Sequence, residues 1–416
     1  MSEHSCVQPR HVIFIEPAFP ANQREFVRAL HQAGAQVIGI GERHRDALDE
    51  PLASWMLHYE QVGSVVDEGA LAWAVRHVQQ RVPVHRLEAT VEAHVMAAAA
   101  VRERCGIPGT STRTAFLCRD KPAMKEVLRA GGVPCADSLG SGDPGAIRAF
   151  AARTGYPVVL KPRAAAGAAG TYRADGPAAL DDLLERLSVG RGADIAVEEF
   201  VEGHEAFYDT LTVDGRVVHD FVTHYYPNVL EAMRTRWISP QFITTNRIDS
   251  APHYAEVRAL GARAIALLGI ETSATHMEWF FGPKGLRFSE IACRPPGVGA
   301  WDLYCMANEI DLYRDWAMAV VHGRTVATPS RRFAAGLIAL RPDRDGRVTR
   351  YDGLDEAQRR FGQWIVDAHL PPPGSPTQPV EAGYMANAWI RMRHPDYDEL
   401  RAMMNAVGEI TQMRAA

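Results

Sequence analysis

Residues 275–299, THMEWFFGPKGLRFSEIACRPPGVG, limit the possible folds more than any other stretch of the chain. Two runs rich in β-branched and aromatic residues, 275–281 and 286–291, flank Gly282-Pro283-Lys284-Gly285. Strands joined by so short a turn can pair only antiparallel. Each expected strand carries one carboxylate, Glu278 or Glu290. Side chains alternate along a strand, so Glu278 is expected to share a face with His276 and Phe280, and Glu290 with Phe288 and Leu286. A loop of three or five residues would set the two glutamates directly opposite, with Cβ atoms roughly 4.5–5.5 Å apart. Like charges there are destabilising unless a cation lies between them. Hard carboxylate oxygens without a Cys or His cluster suit Mg²⁺ better than Zn²⁺, and Mg²⁺ completes its shell with water and phosphate oxygens. The expected partner is therefore a nucleotide; a surface hairpin with solvated glutamates is the competing reading. Arg294, four residues beyond Glu290, can hold an oxyanion beside the metal through its guanidinium fork.

A chain of 416 residues has room for two or three domains. Its net charge of −5, with Lys and Arg dispersed, argues against a nucleic-acid surface and for small-molecule partners. The N-terminal apolar run is too short for a signal peptide, and no segment reaches the roughly 20 apolar residues of a membrane span. A cytoplasmic protein without a membrane partner is expected. Six cysteines lack CxxC or zinc-finger spacing and read as core residues of a reducing compartment.

Taken in order, residues 11–15, 22–33 and 36–40 read as a β-α-β unit. The loop 16–22 lacks GxGxxG, which argues against a dinucleotide-dependent oxidoreductase. Residues 88–105 are expected to form a long Ala-rich helix closed by Gly106. Asp120-Lys121-Pro122 opens a helix that stops at Gly131-Gly132. The apolar strand 156–162 ends on Lys161, a costly position unless its ammonium meets an anion, so Lys161 is a phosphate ligand candidate. The following loop, 163–171, is rich in small residues and includes Gly167 and Gly170, whose backbone can approach phosphates closely; a flexible linker is the alternative. A strand over 195–203 leads into a hairpin, 206–213 and 217–222, turned at Asp214-Gly215. The excursion 225–245 is aromatic and basic, with His224, Tyr225, Tyr226, Arg234, Arg236 and Trp237 expected either to line a pocket or to pack within the loop, and Tyr226 and Arg236 the substrate candidates. Residues 254–268 and 310–321 read as helices. The segment beyond them, with a strand at 332–339, a proline-rich loop at 371–379, a strand at 383–392 and a helix at 397–411, reads as a small α/β cap. Trp364 and Trp389 are expected in its core. Trp301 either contacts an apolar or aromatic part of the substrate or covers the core.

The ordered set of these signals resembles the ATP-grasp superfamily, in its carboxylate–amine ligase (L-amino-acid ligase and biotin-carboxylase-like) branch. The resemblance is best over about residues 80–330. RDKPAMKEVLRAGGVP looks like the helix carrying the first nucleotide lysine, here Lys121, and YPVVLKP like the second-lysine strand and phosphate lid. AVEEFVEGHE is similar to the hinge over adenine, which implies that Glu198 and the backbone near Glu199 and Val201 meet the base, and that Glu205 grips the ribose. Glu278 and Glu290 match the magnesium pair, with Glu290 bridging two ions, and Arg294 matches the arginine that steadies an acyl phosphate. One departure is Ala292, where many members carry an Asn metal ligand. The lid departs too, with Ala168 and Ala169 where Gly and Ser are commoner.

The resemblance implies an α/β (α+β ATP-grasp) architecture: an N-terminal α/β pre-ATP-grasp domain (1–115), a small lobe with the lysines and lid (116–190), a large lobe with the metal hairpin (191–328), and the C-terminal cap (329–416). It implies an ADP-forming ligase that uses ATP with Mg²⁺, or Mn²⁺ in its place, joins a small carboxylate to an amine through an acyl phosphate, and forms a homodimer. Other ATP-grasp chemistry, carboxylation or a purine-pathway ligation, is the nearest alternative. A degenerate ATP-binding regulator is another, and Ala292 is the feature that favours it.

Overall fold

The computed structural model describes residues 10–164, 170–380 and 388–416. Strands β1 (His11–Ile15), β2 (Gln36–Gly41), β3 (Met56–Gln61) and β4 (Arg86–Glu88) form a parallel sheet in the order β3-β2-β1-β4. β1 is a nearly continuous apolar run because helices cover both sheet faces. The helix Gln23–Gln32 turns Phe26, Val27 and Leu30 inward on one stripe. The expected 88–105 helix begins later. Leu87 pairs with Ile13 as part of β4, Glu92–His94 form a 3₁₀ turn, and the helix runs over Val95–Cys105 before Gly106 at φ 66° ends it. Glu88, the first residue of the expected helix, instead ends β4 opposite Phe14, and the alanine run stays helical.

The small lobe pairs β5 (Ser138–Ser141), β6 (Val158–Pro162), β7 (Tyr172–Ala174) and β8 (Ile195–Glu199) antiparallel in the order β5-β8-β6-β7. Helices Pro144–Thr154 and Pro177–Arg186 back it, and Ile147, Phe150, Leu160, Leu180 and Val197 make its core. The lysine-bearing helix Lys121–Ala130 leads into it, with Asp120 as N-cap.

The large sheet contains β9 (His204–Val213), β10 (Arg216–Tyr226), β11 (Gln241–Thr244), β12 (Ser273–Gly282), β13 (Gly285–Ala292) and β14 (Ala334–Leu340). Beyond β15 (Val348–Asp352), β16 (Ile365–His369) and β17 (Ala388–His394) extend the same sheet, whose order is β13-β12-β9-β10-β11-β14-β17-β16. The expected cap is thus joined to the large lobe, while β15 and β18 (Gln412–Ala415) form a separate pair. Part of the expected 383–392 strand, residues 383–387, lies outside the described residues.

Alternate residues of the long strands serve two cores. Tyr208, Met277 and Trp279 pack toward the helix Tyr254–Leu268, which has the bounds its periodicity predicts. Phe207, Leu211, Phe221 and Tyr225 pack with residues of helices Ala300–Asn308 and Leu312–His322 and with Phe14 and Phe26 of the N-terminal domain. One core therefore joins the N-terminal domain to the large lobe. Among the described residues, no helix is long and apolar enough to cross a membrane.

Candidate active site

The hairpin places Glu278 directly opposite Glu290, although by a different route from the odd-length loop that parity suggests. The turn is even: Gly282 pairs with Gly285, and only Pro283 and Lys284 lie between. That register continues to Trp279 opposite Phe288 and would bring Ser289, not Glu290, across from Glu278. A β-bulge at Ser289 inserts one residue and advances Glu290 into the pair. The bulge also corrects the expected faces. Leu286 and Phe288 are buried on the core side, Phe288 edge-on to Trp279, whereas Glu290 lines a cavity with Glu278, His276 and Phe280. Bulges of this kind re-aim a side chain next to a site.

The cavity, about 810 Å³, lies between the small lobe and the large sheet. Lys121, at the start of its helix, reaches Glu290 Oε2 at 3.0 Å. Lys161, on β6, reaches Glu198 Oε2 on the neighbouring β8 at 2.7 Å. Lys125, one helical turn beyond Lys121 and fully buried, meets the same Glu198 oxygen at 2.6 Å. Arg294 lines the cavity, donates from Nε to Glu92 Oε2 at 2.8 Å and from Nη1 to the Pro295 carbonyl at 2.8 Å. Glu92 also pairs with Arg119 at 3.3 Å, so the turn before the Val95–Cys105 helix braces the arginine from the N-terminal domain.

These charges set one another's protonation. Burial pushes the Glu198 carboxyl up, but the ammoniums of Lys125 and Lys161 outweigh it and hold it at about 2. Burial likewise opposes ionisation of Glu290, and Lys121 and Lys161 bring its pKa below the ordinary value. The Lys161 ammonium is disfavoured by burial and rescued by Glu198 and Glu290, with a net rise. Glu205 goes the other way: burial and the nearby Glu278 charge raise it to about 8. Its Oε2 accepts from the Val229 amide at 2.6 Å. His276, two residues before Glu278, lies 2.7 Å from Asp209 through Nδ1 and 3.7 Å from Glu278 through Nε2. Burial lowers its pKa, but the two carboxylates overcome that and lift it to about 10.

The structure gathers Lys121, Lys161, Glu198, Glu199, Val201, Glu205, Glu278, Glu290 and Arg294 on one cavity. Glu198 is engaged by two ammoniums rather than free to face a base, and Glu199 meets Lys284 of the hairpin turn at 3.4 Å. Gly167 lies outside the described residues, as do Ala168 and Ala169, while Gly170 has φ 70° and stands beside Pro162. The three expected substrate residues are placed elsewhere. Trp301, 4% exposed, is core: it packs on Phe26 and Tyr313. Tyr226 shares a hydrogen bond of 2.8 Å with the Tyr397 hydroxyl under the Arg401 guanidinium, and Arg236 pairs with Asp345 at 2.8 Å. Neither lines the cavity; of the same group Tyr225 and Arg234 do, with Asn228 and Met233, and alternation on β10 turns Tyr225 inward and Tyr226 outward.

Sequence reasoning missed Lys125, His276 and Glu92. The i, i+4 spacing of Lys121 and Lys125 was the available signal for the first. For Mg²⁺ the residues fit in kind: Glu278 and Glu290 offer hard oxygens on a cavity able to take phosphates, and the protein supplies few ligands because this ion keeps water and phosphate oxygens. Among the described residues no cluster of three or more His, Cys, Asp or Glu is arranged for a metal ion. Ala292, across from His276, adds no donor.

No protein-family model matches the chain. Over 329 residues it is 26% identical to an L-arginine-specific L-amino acid ligase of Bacillus subtilis, spanning 77% of this chain and 78% of that protein. Its fold resembles that of L-amino acid ligase from Bacillus licheniformis, with a TM-score of 0.73 at 18% identity over 98% of this chain and 99% of the other. A biotin carboxylase domain from Hydrogenobacter thermophilus, in complex with MgADP, ADP and bicarbonate, superposes with a TM-score of 0.64 at 18% identity, over 97% of this chain and 90% of the other. The chain is therefore similar in sequence to an L-amino acid ligase and shares the fold of L-amino acid ligase and of the biotin carboxylase domain.

Proposed function

We propose that the protein activates a small carboxylic acid, an amino acid in the first instance, as its acyl phosphate and passes the acyl group to an amine. The observation that carries this reading is the convergence of Lys121, Lys161 and Arg294 with the opposed Glu278–Glu290 pair on a single cavity. Lys121 and Lys161 would hold the nucleotide phosphates, and Glu278 and Glu290 would hold Mg²⁺, with Mn²⁺ an alternative. When bound, the metal neutralises phosphate charge and orients the γ-phosphoryl group. A substrate carboxylate oxygen attacks the γ-phosphorus as the bond to the β–γ bridging oxygen breaks, and ADP leaves. The amine nitrogen then attacks the acyl carbon, phosphate departs, and the nitrogen loses a proton. Arg294, held by Glu92, is placed to steady the acyl phosphate oxygens. Such transfer depends on positioning and charge neutralisation more than on covalent help from the protein. Val201, Phe200 and Val159 offer apolar walls for the base beside the backbone of β8, and Glu205 is available to the ribose. We further propose a cytoplasmic homodimer acting on small molecules, which light scattering would check.

The test is hydroxamate formation with Mg²⁺-ATP, hydroxylamine and divided pools of amino acids and other carboxylates, alongside ADP release. Hydroxamate together with ADP is expected from at least one pool. ADP without hydroxamate would move the assignment to carboxylation or purine-type chemistry.

A further inference from the structure

The cavity contains a buried charge triad that phosphate binding by Lys161 alone does not explain. Lys125 and Lys161 both point at Glu198 Oε2, at 2.6 and 2.7 Å, while the buried Glu198 Oε1 has no hydrogen-bond partner among the described residues. Two ammoniums on one oxygen repel each other in a place where charge is costly, and Lys161 draws further support from the Glu290 charge. Burial draws the Lys125 pKa down to about 8, with Lys161 adding to the shift and Glu198 opposing it. Lys125 is fully buried on its helix, whereas Lys161 retains some exposure toward the cavity. The two lysines are therefore unequal, although both line the cavity: Lys161 keeps some exposure and Lys125 none.

We infer that Lys125 is a positioning residue, the permanent counter-ion of Glu198 that frees Lys161 to exchange its carboxylate for a nucleotide phosphate. The inference rests on the reading of Lys161 as a phosphate ligand. Departure of Lys161 converts the triad into a neutral Lys125–Glu198 pair and relieves the repulsion between the two ammoniums. Without Lys125, Lys161 and Glu198 form a neutral buried pair, and moving Lys161 to a phosphate strands a buried carboxylate. Removing one partner of a buried pair is far costlier than never having made it. Lys121 needs no such helper, because the carboxylate it leaves, Glu290, is proposed to receive the metal.

The test is a double-mutant cycle on equilibrium binding of Mg²⁺-ADP by titration calorimetry, with melting temperature recorded for each nucleotide-free protein. Lys125→Met is of similar volume and leaves Glu198 paired with Lys161, so it is expected to fold and to bind nucleotide at least tenfold more weakly. The same substitution in a Glu198→Gln background is expected to change binding less than threefold, because no carboxylate remains to trap Lys161. Wild-type affinity in Lys125→Met overturns the inference. So does an undiminished loss in the Glu198→Gln background, which would mean that Lys125 meets the nucleotide itself. A Lys125→Met protein that fails to fold overturns it too, since Lys161 alone would then be unable to satisfy Glu198. If the wild-type protein binds no nucleotide, it is the functional reading that falls.

Discussion

Glu290 faces Glu278 across the hairpin and pairs with Lys121, so a change there removes a proposed metal ligand and a charge partner of that lysine together. Glu290→Gln is nearly isosteric, and we expect it to lower ADP release by at least about 100-fold, the scale seen when one transition-state charge partner is lost; more than half the wild-type rate would refute the metal role. His276 makes a separate prediction. Its folded pKa of about 10 stands above the ordinary 6.5, so its pairing with Asp209 contributes stability that is complete below pH 6.5 and lost as pH rises through 10. The wild-type unfolding free energy should therefore fall across that window relative to His276→Gln, by at most about 5 kcal/mol at roughly 1.4 kcal/mol per pKa unit. Parallel pH profiles of the two proteins would contradict the assignment. Trp301 belongs to the core, and Trp301→Ala is expected to cost about 3–5 kcal/mol in denaturant unfolding, with no change in the order of acid preference. A changed preference with little loss of stability would return Trp301 to the substrate.

The helix Lys121–Ala130 presents two lysines to the cavity from successive turns, and its start is fixed by one residue. Asp120 accepts from the Ala123 amide at 3.0 Å as N-cap and pairs with Arg163 at 2.8 Å, tying the helix to the end of β6. Asp120→Ala should thus destabilise by about 1–3 kcal/mol, an N-cap plus part of a charge-assisted pair, and raise the KM for ATP because Lys121 is the first helical residue. Asp120→Asn keeps the cap and should lose less on both counts; equal losses would show that the cap contributes nothing. The hairpin illustrates what an element's own sequence can and cannot convey. Its strands and turn are legible in the apolar runs and in Gly282-Pro283-Lys284-Gly285, but the bulge at Ser289 is not. Core packing of Trp279 against Phe288 on one side, and the need for Glu290 on the other, is satisfied only by an extra residue between them.

At the scale of the whole molecule, the cavity is walled by the small lobe and the large sheet, and the N-terminal domain holds one lining residue, Arg294, through Glu92. A ligand that binds there stabilises by mass action, about 2.7 kcal/mol at 100 times its Kd. Mg²⁺ with a non-hydrolysable ATP analogue should raise the melting temperature, and excess EDTA should remove most of that rise; a shift insensitive to EDTA would argue that Glu278 and Glu290 do not hold metal. The sequence by itself determined the elements whose causes are local. The helix Tyr254–Leu268 follows from its periodicity, the turn at Asp214-Gly215 from the tolerance of Asp and Gly for the positive φ they adopt, 49° and 75°, and Lys161 stands out as a lysine closing an apolar strand. Those signals involve residues a few positions apart. Tertiary structure alone decided that Glu198 is shared by Lys125 and Lys161, that Trp301 packs on Phe26, and that Arg294 is braced by Glu92, 202 residues away. Pairing of buried charge is a property of the space that several segments enclose, and no local pattern in one segment records which partner another will bring.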